Sequence, residues 1–118
     1  MIKLSEQELH NLAMNIVGKD LERQGYEFIA INSKLKKNPQ FVVIKDKKFS
    51  FVVVRAVTYP ENPEDYDVIF MEALKTHASE FKAKTFYAGV GLANPKDYTL
   101  PVYKEQDFVV NYKGLQEI

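Results

Sequence analysis

The stretch from Pro39 to Tyr59, P-Q-F-V-V-I-K-D-K-K-F-S-F-V-V-V-R-A-V-T-Y, holds two apolar runs of β-forming residues joined by a charged turn. Valine, isoleucine and phenylalanine suit a pleated surface, and the Asp46-Lys47 break between the runs is short enough to require an antiparallel hairpin. The first run predicts a strand over Gln40–Lys45 and the second a strand over Lys48–Tyr59. Phe51 to Val54 carries no polar residue on either face, which predicts a strand in the sheet interior with both faces covered. Side chains alternate along a strand, so Arg55 shares a face with Phe49, Phe51, Val53 and Val57 and places a cation on an otherwise apolar surface.

Outward from this hairpin, the N-terminal segment reads as a helix. Ser5 and Glu8 make the S-x-x-E capping box, Leu9, Leu12, Ala13, Ile16, Val17 and Leu21 form one stripe of a 3.6-residue period, and Gly25 ends the segment. On this helix His10 follows Glu6 by four residues, the spacing of a surface ion pair. Tyr26 to Asn32 alternates as a first strand. After the hairpin, Asn62 reads as an N-cap and Pro63 as the first residue of a second helix running to Lys82, with acids in its first turn. Tyr66, Ile69, Phe70, Ala73, His77 and Phe81 would form its apolar stripe. Thr85–Leu92 follows as a strand, and strand, helix, strand at this spacing implies a right-handed crossover and a parallel pairing. Val102–Lys104 reads as a short edge strand and Phe108–Tyr112 as the last. The expected fold is an α/β (α+β) arrangement of order α-β-β-β-α-β-(β-β), a single mixed sheet flanked by two helices.

Composition bounds the function. With 118 residues the chain is expected to form one domain, 1–118, burying about two thirds of the surface its unfolded form would expose. The sequence has no cysteine, which excludes disulfides, thiolate zinc sites and cysteine-held iron-sulfur clusters. The N-terminus turns charged too early for a signal peptide, and no apolar run approaches the roughly 18 residues of a membrane span, so a cytoplasmic protein with no membrane partner is expected. Net charge is zero, from 16 basic and 16 acidic residues, yet the signs are segregated. Lys34, Lys36, Lys37, Lys45, Lys47 and Lys48 face Asp46 alone, whereas Glu61, Glu64, Asp65, Asp67, Glu72 and Glu80 face Lys75 alone. The lysines Lys34, Lys36, Lys37, Lys47 and Lys48 suit an anion such as a nucleic-acid phosphate, an acidic protein surface, or simple solvation of a hairpin tip.

Other constellations are weaker. Gly89-x-Gly91 lacks the third glycine of a dinucleotide fingerprint, and Pro95 prevents a helix from opening after it, so close approach of a helix or a bulge is the simpler reading. His77 and Glu80 have metal-reachable spacing, but no second histidine is near and His77 lies on the expected apolar stripe, which predicts a hydrogen-bonded core or boundary histidine. Tyr59, Tyr98 and Tyr103 fall in or beside loops and suit either packing at a sheet edge or a pocket or interface. No cofactor motif is present.

The order helix, three strands, helix, strand resembles the common core of the restriction-endonuclease-like superfamily, whose active members carry a P-D…(D/E)-x-K motif. Leu21 to Tyr26, L-E-R-Q-G-Y, and the hairpin after it are similar to the small predicted-endonuclease family related to Holliday-junction resolvases, over about residues 5 to 92. The resemblance implies a metal-holding acid at the start of the second strand, and an acid and a lysine two apart on the third. Those positions are Gln40, Val53 and Arg55 here, with Met14 where some members add a helix acid. Every carboxylate position is neutral and only the cation survives in type, so the resemblance implies a vestigial cleft and no metal. Glu27, Asp67 and Glu72 are the acids that would have to substitute. The expected function is a non-enzymatic binding or scaffolding domain, and the competing one a divergent metal-dependent nuclease or nucleic-acid binder. A protein partner or a second copy pairing through a sheet edge near Val102–Tyr112 would equally suit the sequence.

Overall fold

The N-terminal segment becomes helical where its capping groups allow. Ser5 N–H donates to Glu8 Oε1 at 3.0 Å and Glu8 N–H donates to Ser5 Oγ at 3.1 Å, closing both halves of the capping box. The computed structural model describes all residues, Met1–Ile118, and this box opens α1, Glu6–Arg23. Gly25 follows with φ +89°, a conformation that glycine adopts without strain.

The hairpin folds as its pattern predicts. β1 (Glu27–Ile31) pairs antiparallel with β2 (Phe41–Lys45), and β2 pairs antiparallel with β3 (Lys48–Thr58) across Asp46-Lys47, both at positive φ. After α2 (Val68–Ser79), β4 (Lys84–Ala93) runs parallel to β3 from Ser50↔Lys84 to Thr58↔Leu92. β5 (Val109–Tyr112) and β6 (Gln116–Glu117) both pair antiparallel with β4. The result is one mixed six-stranded sheet of order β1-β2-β3-β4-β5 with β6 beside β4, an α+β fold in the expected element order.

The two faces of β3 explain the layering. Val52 and Val54 pack with α1 residues Ala13, Met14, Val17 and Leu21 in the larger core, while Val53 packs with Met71 of α2 and Tyr87 of β4 in the smaller one. All three valines are fully buried, so the sheet interior is covered on both sides at this strand. Tyr112 ties the far edge back to α1, its hydroxyl donating to Asp20 Oδ2 at 2.7 Å, and this half-buried, carboxylate-bound phenol resists ionisation.

Three expectations change in the structure. The second helix begins at Val68 instead of Pro63: Asn62 Oδ1 accepts from Glu64 N–H at 3.0 Å and closes a separate turn, and Asp67 is the N-cap, accepting from Phe70 N–H at 3.0 Å. The acids therefore precede the helix, and its first turn has none. Its buried face is Met71 and Ala78 flanked by Phe70 and Leu74, because Met71 fills the space between Val53 and Tyr87, and Ile69 stands 85% exposed. The segment Val102–Lys104 makes only an isolated bridge, Lys3↔Tyr103, instead of a strand. β5 pairs with β4 on one side and is the last strand of the sheet on the other.

Gly89 decides whether the Asn62–Asp65 turn can lie against β4. A Cβ there would stand 1.7 Å from the Pro63 carbonyl oxygen, so what approaches is the turn before α2 and not the helix itself. Gly18 differs, since a Cβ on it would make ordinary contact with Phe41 at 3.6 Å. Urea titration is expected to show Gly89→Ala destabilised by about 1–3 kcal/mol through overpacking. Gly18→Ala is expected to gain up to about 1 kcal/mol, because glycine disfavours a helix interior.

Candidate functional site

β2 begins only at Phe41, opposite Val52, and β3 runs on to Thr58, so the backbone of β3 beyond Val52 has lost its neighbour on that side. Gln40 replaces it. Its side chain is fully buried, and its Oε1 accepts from Val54 N–H at 2.7 Å while its Nε2 donates to Asn38 Oδ1 at 2.9 Å and to the Lys37 carbonyl at 3.1 Å. An amide serves where a carboxylate would not, because this position needs one acceptor and two donors at once.

Arg55 lies against this network. Its Nη1 donates to Asn38 Oδ1 at 2.9 Å, to the Val54 carbonyl at 3.0 Å and, weakly, to Gln40 Oε1 at 3.5 Å. The guanidinium stands 5.7 Å from the centre of the Phe70 ring, a cation–π geometry. No carboxylate comes within ion-pairing distance of it. Burial pushes its pKa down from the ordinary arginine value, with the neighbouring Tyr87 phenol acting the other way. Tyr87 is itself shifted up, first by burial, and its hydroxyl donates to the Asp65 carbonyl at 3.3 Å.

Arg55 lies between two hollows. One, of about 410 Å³, is a cleft lined by Lys36, Asn38, Val53, Asp65, Tyr66, Asp67, Phe70 and Tyr87. The other, of about 230 Å³, is lined by Glu6, His10, Leu35 and again Lys36. Gln40, Val53 and Arg55 are thus brought together, with Gln40 behind the cleft as its support and Val53 and Arg55 in its wall. Among the lysines, Lys36 alone lines the cleft, with Lys34 and Lys37 in the same loop. Lys47 and Lys48 belong to the hairpin tip, about 23 Å away along β3 at the rise of an extended strand. The basic set is therefore two separate groups.

The acids divide similarly. Asp67 lines the cleft, although one of its oxygens is taken by Phe70 N–H. Glu27 pairs with Ile44 towards the other end of β2, and Glu72 is exposed on α2. Met14 is in the core on the opposite side of the sheet. No group of three histidine or carboxylate side chains converges anywhere in the chain.

His10 is the residue that sequence reasoning missed. It is 3% exposed instead of forming a surface pair with Glu6, and its Nε2 has no hydrogen-bond partner. The overlooked signal is its spacing from Met14, Val17 and Leu21, at i+4, i+7 and i+11, which makes it the first residue of the buried stripe. His77 reverses its expectation in the other direction. It is exposed, 3.9 Å from Glu80, with its ring against Phe51 and Phe81, because the buried face of α2 passes through Met71 and Ala78 beside it. Of the loop tyrosines, Tyr59 and Tyr98 meet with ring centres 5.7 Å apart, and Tyr103 forms the bridge to Lys3.

Burial and the nearby Arg55 charge both lower the His10 pKa from its ordinary 6.5. The unfolded chain then takes up a proton near pH 6.5 that the folded chain refuses, so this contribution is full above that pH and is lost as pH falls towards the folded value. Urea titrations between pH 7 and 5 should show a fall of up to about 1.4 kcal/mol per pH unit from this group, absent in His10→Leu. At neutral pH, Gln40→Leu should cost about 1–3 kcal/mol, because it leaves Val54 N–H buried and unbonded.

No curated protein and no solved structure matches the chain. Residues 7–118 match the family described as Domain of unknown function (DUF8840), and the chain belongs to that family.

Proposed function

We propose that this chain is a non-catalytic binding domain on a degenerate restriction-endonuclease-like core, and that its cleft receives an anionic group at Arg55. One observation carries the reading: a half-buried guanidinium whose hydrogen bonds all leave from Nη1, to neutral oxygens, with no carboxylate paired to it. A desolvated cation favours an anionic partner, and the planar fork of arginine matches phosphate or carboxylate oxygens. Lys36 in the wall of the same cleft adds a second positive charge, set against the Asp65 and Asp67 carboxylates that also line it.

The nuclease-like reading of the core draws on the element order and on Gln40, Val53 and Arg55 meeting at one place. The donor set does not fit a divalent cation. Magnesium requires several oxygen ligands, whereas Gln40 is engaged in its own network and Asp67 is partly taken up as a helix cap. The competing reading, a divergent nuclease, draws on Asp65 and Asp67 lining the cleft.

Fluorescence anisotropy with a labelled duplex and a labelled single-stranded RNA, at low and physiological salt and with and without magnesium or manganese, separates these readings. Salt-sensitive binding is expected without cleavage, weakened about tenfold by Arg55→Ala and less by Lys36→Glu, the loss of a charge-assisted hydrogen bond being the larger. Inorganic phosphate competing at Arg55 would supply the same support for a small anion. Metal-dependent cleavage would establish the nuclease reading instead. Binding unchanged by Arg55→Ala, or absent at low salt, would remove the anion site.

A further inference from the structure

The carboxyl ends of the parallel pair β3 and β4 open onto a hollow of different chemistry, and ligands of open α/β sheets lodge outside such ends. It has a volume of about 330 Å³. Tyr59, just past β3, and Tyr98, from the loop after β4, line it with ring centres 5.7 Å apart and planes inclined at 53°. Its apolar remainder includes Pro63, Ala93 at the end of β4, and Val109 opposite it on β5. Glu61 is the only charged residue that lines it.

The tyrosines are 52% and 51% exposed, so this aromatic pair is spent on neither core. Aromatic ring faces are electron-rich and attract cations, most strongly those that shed water easily. Glu61 adds a full negative charge and disfavours any anion. A hard metal ion would need several oxygen ligands, and the hollow offers little besides this one carboxylate. A weakly hydrated organic cation satisfies every wall: methyl groups on the rings, charge towards the carboxylate, and a carbon chain along Ala93 and Val109.

We infer that this hollow binds an alkylated ammonium group, its head against Tyr59, Tyr98 and Glu61 and its carbon chain along Pro63, Ala93 and Val109. The charge is opposite in sign to that of the Arg55 cleft's ligand, so the two sites stand or fall separately. The ammonium has two sources, a free small molecule of the choline type or a methylated lysine in a peptide.

The test is NMR titration of the tyrosine ring signals with choline, its uncharged tert-butyl isostere dimethylbutanol, and a trimethyllysine peptide beside its unmodified form. Choline should shift Tyr59 and Tyr98 and bind about tenfold more tightly than the isostere, the difference being the cation–π and carboxylate attraction. Tyr98→Leu keeps an apolar body without a ring face. It should weaken choline severalfold while leaving the isostere unchanged, and Glu61→Gln should act in the same direction. A trimethyllysine peptide tighter than choline assigns the site to a protein tail, and one no tighter assigns it to a free ammonium. Equal binding of choline and isostere, shifts confined to other tyrosines, or indifference to Tyr98→Leu overturns the inference.

Discussion

β3 is covered on both faces, and the rest of the structure follows from that constraint. A strand with Val52 and Val54 on one side and Val53 on the other exposes apolar surface in both directions, at about 25 cal/mol for each Å² left in water. One helix cannot cover both sides. α1 covers Val52 and Val54, and the crossover from β3 through α2 to β4 brings Met71 over Val53. The parallel pairing of β3 with β4 is the geometric consequence of that crossover. Gly89 then lets the turn before α2 lie directly on the strand that the crossover delivers.

Where the sheet stops being regular, its chemistry begins. β2 begins only opposite Val52, and the exposed backbone of β3 beyond it is satisfied by the Gln40 amide instead of another strand. The same amide orients Asn38, and Asn38 holds one arm of Arg55. This is a network of neutral acceptors around a cation, the reverse of carboxylates around a metal. The Arg55 cleft and the Tyr59–Tyr98 hollow lie on the two sides of the acidic turn that follows β3. One presents the Arg55 guanidinium and the other the Glu61 carboxylate, so a chain of zero net charge carries unlike groups at its two hollows.

Charge segregation along the chain was visible in the sequence, but its meaning in space was not. Lys36 and Lys48 read as neighbours in one basic segment, yet the hairpin folds them to opposite ends of β3. Asp65 and Asp67 read as the first turn of a helix, but the Asn62 turn intervenes and turns them towards the cleft. His10 was misread because a helical period defines a stripe only to within a residue or so. The structure rotated that stripe until His10, Met14, Val17 and Leu21 were its centre.

Local patterns alone determined the order of elements through β4, the antiparallel hairpin across Asp46-Lys47, the burial of β3 and the presence of Arg55 on an apolar face. Those features depend on alternation, capping and the reach of a short turn, all of which act between residues close in sequence. Tertiary structure alone decided which face of α2 is buried, which lysine joins Arg55, that His10 loses its water, and that Tyr59 meets Tyr98. Each of these depends on which distant segment occupies the neighbouring space, and packing resolves that choice only when the whole sheet has formed.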